Sequence, residues 1–394
     1  MSTTTPPAFW LSQDAQAMLD EADRFAKNEL HPLFARMDDE EWWPEDVFRK
    51  IGEAGYFGLT VPEEYGGQGL DFFTSGLVGQ AMARWNYPLS LSWVAHENLC
   101  LNNIYRNSNE QLRRKYLPDL CSGKAIGALG LTEPGAGSDA LGSMRTTAKR
   151  DGDYYYLNGR KIFITNGPVA DVLLVYAKTQ PEKGPHGISA FIVEKGIPGF
   201  SVAQKLVKMG FRGSQTGELV FDNCKVPAAN LVGEENNGVS VVMSGLDLER
   251  AVISPICVGI AERALELSIE YAQMREQFGK PIAKFQMIQS KIADMYVWVE
   301  TMKTFCYRVL AECNDLEIGG GGRGMIHALS AGSIMYTADT LNKVLNEALQ
   351  IFGGYGYMWD AEINRLYRAN KLLEIGAGTT EVRKMIISGE ILGR

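Results

Sequence analysis

Apolar residues recur at helical spacing through residues 11–122. "DAQAMLDEADRFAKNEL" carries them every three to four positions, and "PEDVFRKIGEAGYFGL" repeats the pattern behind Pro44, so both are predicted helices. From residue 124 to 234 the texture changes to short β-branched and aromatic runs. "DYYYLNGRKIFITNG" sets Asn158-Gly159 between two apparent strands, and "DVLLVYAKT", "GISAFIVEK" and "GELVFDNCKV" follow. After "GEENNG" the helical period returns over 239–314, 325–350 and from 381 onward, which predicts a bundle. The expected class is α+β in three domains: helical at 1–123, antiparallel β at 124–234, and a four-helix bundle at 235–394.

Composition narrows the chemistry. With 45% hydrophobic and 22% charged residues over 394 positions, each domain can bury a core. The formal charge of −8 argues against general affinity for nucleic acid or an anionic membrane, while leaving room for a local phosphate pocket. Six cysteines form no C-x-x-C pair and read as isolated thiols in a reducing compartment; four scattered histidines offer no metal site. The start of the chain has no Arg before Arg24 and no apolar signal-peptide region, and no apolar run approaches the ~18 residues of a membrane span, so a cytoplasmic protein is expected.

Three glycine clusters remain. The run at 319–324 matches G-x-G-x-x-G, but a helical pattern rather than a strand precedes it, so it is read as a helix-to-helix link. "GLTEPGAGSD" at 130–139 enters the β region, where its backbone N–H groups, Thr132 and Ser138 could hold an anion or a polar ring edge. "QIFGGYGYMWD" at 350–360 closes a long helix, as a C-cap would.

The last two stretches resemble the two signatures of the acyl-CoA dehydrogenase family. The resemblance continues through "VPEEYGGQG", "KIFITNG", "MREQFGKPIAKFQ" and "GAGTTEVRK" in family order over nearly the whole chain. One departure is Ala369-Asn370, where the family usually has Asp-Ala. The resemblance implies non-covalent FAD. It implies that Leu129, Leu131, Thr132, Gly137 and Ser138 line the isoalloxazine, flanked by Phe163, Ile164 and Thr165. It further implies that Arg275, Phe278 and Gln286 reach the pyrophosphate and adenosine side, largely of a neighbouring subunit. Gln350, Gly353 and Gly354 form another such edge, and Thr379 and Glu381 close over the cofactor.

The family's reaction takes a proton from the carbon beside a thioester and passes a hydride from the next carbon to the flavin, which needs a carboxylate on one face of the acyl chain. Many members place that Glu in the loop reading "IGAGTT" here, where the matching residue is Ala377. The alternative is Glu249 in "SGLDLERAVI". Its helical neighbours Gly245, Leu246, Val252 and Ile253 carry no cation, so desolvation should raise its pKa. Isovaleryl-CoA dehydrogenases, which this chain resembles most within the family, carry the base at that position with Gly-Ala in the loop. The resemblance then assigns the N–H of Ala377 to the thioester oxygen, Gly376 and Gly378 to the acyl pocket, and Ser138, Asp247 and Arg250 to the CoA portion. It implies a homotetramer passing electrons to an electron-transfer flavoprotein. A citronellyl-CoA-like substrate, a related flavin oxidase or monooxygenase, and a silent scaffold are the competing readings.

Overall fold

The computed structural model describes residues 11–316 and 322–393; the first ten residues, residue 394 and residues 317–321, which include the first half of the glycine run at 319–324, lie outside them. The N-terminal helices are α1 (Gln13–Phe25), α2 (His31–Glu40), α3 (Val47–Glu53), α4 (Phe72–Val94), α5 (Asn103–Asn107) and α6 (Glu110–Cys121). α1 begins at Ser12, whose hydroxyl caps the Ala15 N–H. α4 breaks at Asn86, whose side chain donates to the Leu30 carbonyl and accepts from the Leu89 N–H, restarting the helix around Pro88.

The middle region is one sheet of β1 (Gly127–Gly130), β2 (Thr147–Asp151), β3 (Tyr154–Thr165), β4 (Val172–Lys178), β5 (Ile188–Glu194), β6 (Phe200–Lys205), β7 (Thr216–Pro227) and β8 (Leu231–Val232). Two expectations need correction. The sheet is mixed, because β1 runs parallel to β4, with Gly127 opposite Val172. Asn158-Gly159 is not a hairpin turn: it sits within β3 at a register shift against β7, while Gly152-Asp153 makes the turn between β2 and β3. Gly159 is required there because its φ is +154° and a Cβ would lie 2.3 Å from Thr146 Oγ1.

The C-terminal region holds α7 (Gly238–Met274), a small hairpin of β9 (Glu276–Gln277) and β10 (Lys280–Pro281), then α8 (Gln286–Cys313), α9 (Met325–Phe352), α10 (Glu362–Ile375) and α11 (Thr380–Leu392). α7 is buried nearly all round, packing on α4, α8 and α9, which explains why its sequence shows little polar face. At the α4 crossing a Cβ on Gly259 would lie 2.1 Å from the Gln80 carbonyl oxygen, so only glycine lets the two helices approach. One apolar core runs from α1–α4 into α7–α10. All six cysteines are buried and unpaired, and among the described residues no helix is long and apolar enough to cross a membrane.

The Ala369-Asn370 departure has a packing account. Ala369 is fully buried, and a Cβ on Gly210 would lie 2.7 Å from its Cα, so the loop before β7 rests directly on α10. The acids for this part of α10 come from α2: Arg368 pairs with the buried Asp38, and Arg365 Nη2 lies 3.3 Å from Asp39. Removing one partner of a buried pair leaves an uncompensated charge. Asp38→Ala should therefore cost about 3–5 kcal/mol in chemical denaturation; an unchanged midpoint would show that Arg365 and Arg368 are satisfied elsewhere.

Candidate active site

Glu249 lies in the buried middle of α7 and is 7% exposed. Burial pushes its carboxyl from 4.5 up to about 7, against opposing pulls from Arg250 and Arg383. The sequence expectation of no nearby cation thus holds only for its own helical face. One cation is the next residue, and the other arrives from α11. Glu97 shows why burial alone does not make a reactive group. It too is pushed up to about 7, but its oxygens accept the N–H groups of Gly58 at 2.7 Å and Leu59 at 2.8 Å. No hydrogen bond occupies the Glu249 carboxylate among the described residues.

The turn at 376–378 is drawn to α7 through Arg250, which is buried rather than on the surface. Its Nε donates to the Ala377 carbonyl at 3.2 Å, and Arg383 Nη2 donates to the carbonyls of Leu373 and Gly376. Ala377 has φ +56°, an uncommon setting for a residue with a Cβ, and its N–H makes no hydrogen bond among the described residues. A Cβ on Gly376 would meet only the Leu372 carbonyl oxygen, at 3.4 Å, so space is open there. Leu246, one turn before Glu249, and Leu129, Leu131 and Met243 are partly buried apolar residues that pack against the same core cluster.

The strand exit after β1 supplies the other wall. Phe163 is 66% exposed with φ +60°, at a bulge in β3, and Thr165 beside it is half-buried. Glu133 and Ala136 close a tight turn that leaves Gly137 and Ser138 exposed. A Cβ on Gly135 or Gly137 would touch nothing within 4 Å. Ile164 points into the β core, so only its backbone can face this wall. A pair that sequence reasoning missed lies beneath it. Lys161, fully buried, donates to the Leu131 carbonyl at 3.0 Å and to Glu133 at 2.8 Å, with burial lowering its pKa to about 8. A lysine at an inward position of an alternating strand was the available signal.

Asp247 stands differently from expectation: it has no accessible surface to offer a ligand, and its carboxylate is engaged by Arg250, His327 and Gly322. Thr379 caps α11, and Glu381 is exposed beside it. A separate group forms at the far end of α7. Arg275 lies over the Tyr355 ring at 5.5 Å; Gln350, Gly353 and Gly354, close to Tyr355 in sequence, are exposed, Phe278 is 93% exposed, and Gln286 is exposed nearby in sequence. From Glu249 to Arg275 the helix rises about 39 Å at 1.5 Å per residue.

Three family models match in chain order: "Acyl-CoA dehydrogenase, N-terminal domain" over residues 12–124, the middle domain over 128–224 and the C-terminal domain over 236–392. The mitochondrial isovaleryl-CoA dehydrogenase of Oryza sativa subsp. japonica is 43% identical over 384 residues, covering 97% of this chain and 92% of that protein. The butyryl-CoA dehydrogenase from Megasphaera elsdenii superposes with a TM-score of 0.92 at 37% identity, covering 98% of this chain and 100% of that one. A chain solved in connection with the electron transferring flavoprotein of Acidaminococcus fermentans gives 0.93 at 38%, with coverage of 98% and 100%.

The raised pKa of Glu249 has a consequence for stability. Its folded value lies above the unfolded one, so this contribution is complete below about pH 4.5 and is lost as pH rises through about 7. Glu249→Gln, always neutral, should gain stability over wild type between about pH 5 and pH 8, reaching about 3 kcal/mol. Denaturation curves at the two pH values check this, and a gap that fails to widen with pH contradicts the burial argument.

Proposed function

The chain belongs to the acyl-CoA dehydrogenase family, and from that premise we propose that it converts a short or medium branched-chain acyl-CoA of the isovaleryl type to the 2-enoyl-CoA. It is an oxidoreductase acting on the CH–CH group of an acyl-CoA, and its cofactor is FAD. The observation that carries the finer reading is Glu249, a buried carboxylate with no hydrogen bond among the described residues, beside a turn whose residues 376–378 hold no titratable side chain.

The chain fits a flavin physically. An exposed aromatic ring at Phe163, the half-buried Leu131 and Thr132, and glycines with open space make an uncovered cradle on the β1–β3 edge. The bound FAD supplies the acceptor for the hydride that leaves the β-carbon. Glu249 takes the α-proton as a new O–H bond, and its pKa of about 7 suits a base working near neutrality. Charge that builds on the thioester oxygen is met by the N–H of Ala377, whose carbonyl end is fixed by Arg250. The two electrons of the broken α-C–H bond become the new C=C bond. Open space at Gly376 accommodates a methyl branch.

We place an electron-transfer flavoprotein as the onward acceptor, a reading supported by the similarity to the Acidaminococcus fermentans chain. The group around Arg275 lies further from Glu249 than one flavin dinucleotide spans, which supports a second copy supplying that edge. An open apolar groove of about 730 Å³ between α8, α9 and α11, lined by Phe305, Leu329, Ile387 and Ile391, supports assembly as a homotetramer.

Anaerobic mixing with a panel of acyl-CoA thioesters tests the substrate. Isovaleryl-CoA should reduce the flavin about 10- to 200-fold more efficiently than butyryl-CoA, the range one methyl group can supply; equal efficiencies would count against the pocket.

Glu249→Gln should bind FAD and acyl-CoA but lose about 10²–10⁴-fold in the rate of flavin reduction. In the wild type, kcat/KM should fall about tenfold per pH unit below about 7, because the base must be ionised to work. A Glu249→Gln variant that reacts at the wild-type rate in stopped-flow would reassign the base.

A further inference from the structure

Asp247 and Arg250 lie on either side of Glu249 in α7, and neither is spent on the surface. Asp247 Oδ1 accepts from Arg250 Nη1 at 3.3 Å and lies 2.5 Å from His327 Nδ1, which selects the tautomer with its proton on Nδ1. Asp247 Oδ2 accepts from the Gly322 N–H at 2.5 Å. Arg250 Nε then reaches the Ala377 carbonyl at 3.2 Å. A continuous chain of hydrogen bonds therefore runs from the first turn of α9, through α7, to the turn at 376–378.

We propose that His327 and Asp247 are positioning residues for that turn: through Arg250 they hold Ala377 where its N–H meets the oxygen of an acyl-CoA thioester. The inference rests on the dehydrogenation proposed for this site and extends it to a residue on a different helix.

Three observations require such a brace. Ala377 sits at φ +56°, a conformation that a residue with a Cβ keeps only when its surroundings impose it. The turn is gripped at two carbonyls, Gly376 by Arg383 and Ala377 by Arg250, while the Ala377 N–H has no partner among the described residues. A guanidinium on a flexible stem fixes a carbonyl only if its own plane is fixed, and Asp247 does this from the side opposite the turn. Asp247 in turn cannot swing, because His327 and Gly322 occupy both its oxygens from a separate part of the chain. An error in donor placement of about 1 Å can cost about 10²-fold in rate, so a brace remote from the reacting carbons affects chemistry before it affects binding.

The test uses full-length, FAD-loaded protein and two probes: isovaleryl-CoA, and the thioether S-(3-methylbutyl)-CoA, in which a methylene replaces the carbonyl. His327→Leu should slow flavin reduction at saturating isovaleryl-CoA about 10- to 100-fold. Its affinity for the thioether, which has no oxygen for Ala377, should stay within about twofold of wild type. His327→Asn, whose amide N–H can stand in for Nδ1–H, should recover most of the rate, and His327→Gln, with its longer reach, should recover less.

Wild-type reduction rates in His327→Leu, or equal weakening of both probes, would overturn the proposal. Should the Leu variant fail to fold, the Asn and Gln variants decide, and identical wild-type rates in both would overturn it. Wild-type protein that no acyl-CoA thioester reduces would overturn the reading of the site itself, and this brace with it.

Discussion

A carboxylate buried in the middle of a helix, with no hydrogen bond among the described residues, is the constraint on which the rest of this site depends. Water is withheld from Glu249 by the helices packed around α7, and the fold answers with two arginines close enough to keep the charged form accessible. Without those cations desolvation alone would drive the group further up; with a direct ion pair it would be held down and spent. The contrast with Glu97 isolates the difference. Both glutamates are buried and both are pushed up to about 7, but one is used up by backbone donors while the carboxylate of the other accepts no hydrogen bond among the described residues.

The same arginines serve the turn that follows α10. Arg250 and Arg383 each give a donor to a turn carbonyl while their charge acts on Glu249, so the placement of the turn and the proton affinity of the carboxylate share their supports. Arg383 is itself buried enough for its pKa to fall to about 10, and its Nε and Nη1 have no hydrogen-bond partner among the described residues, so it remains a charge with spare donors. The site is therefore one electrostatic unit contributed by α7, α10 and α11 rather than a single acid on a passive scaffold.

Much of this was legible in the sequence, for reasons that differ by element. Most helices announced themselves by period, a local pattern, although the run at 239–314 breaks at the β9–β10 hairpin and α10 was not read; Glu249 stood out by its lack of polar company on one face, and the family resemblance singled it out. Asn158-Gly159 misled for the same reason: the dipeptide is a turn signal locally, yet within β3 its freedom is spent on a bulge against Thr146. The parallel pairing of β1 with β4 could not be read at all, since register between distant strands leaves no local trace. Asp247 was expected, from the resemblance, to contact the CoA portion. Its engagement by His327, 80 positions away, is a property of the folded chain alone. The exchange of Asp-Ala for Ala369-Asn370 became intelligible only once Gly210 and Asp38 were seen against α10.

The course of the apolar core has a consequence for how the chain is made. α4 ends at Val94 and α7 begins at Gly238, with the whole sheet between them, yet these two helices pack along one another. During synthesis from the N-terminus, the helices up to α4 must wait with an uncovered apolar face while the sheet emerges. Only the later arrival of α7 closes that face. High sequence separation of this kind slows folding and exposes the nascent chain to aggregation. The helix that carries Glu249 is thus also the last piece of the N-terminal domain, and a ribosome stalled before residue 238 would release a protein whose first domain is complete in sequence but has no partner for its core.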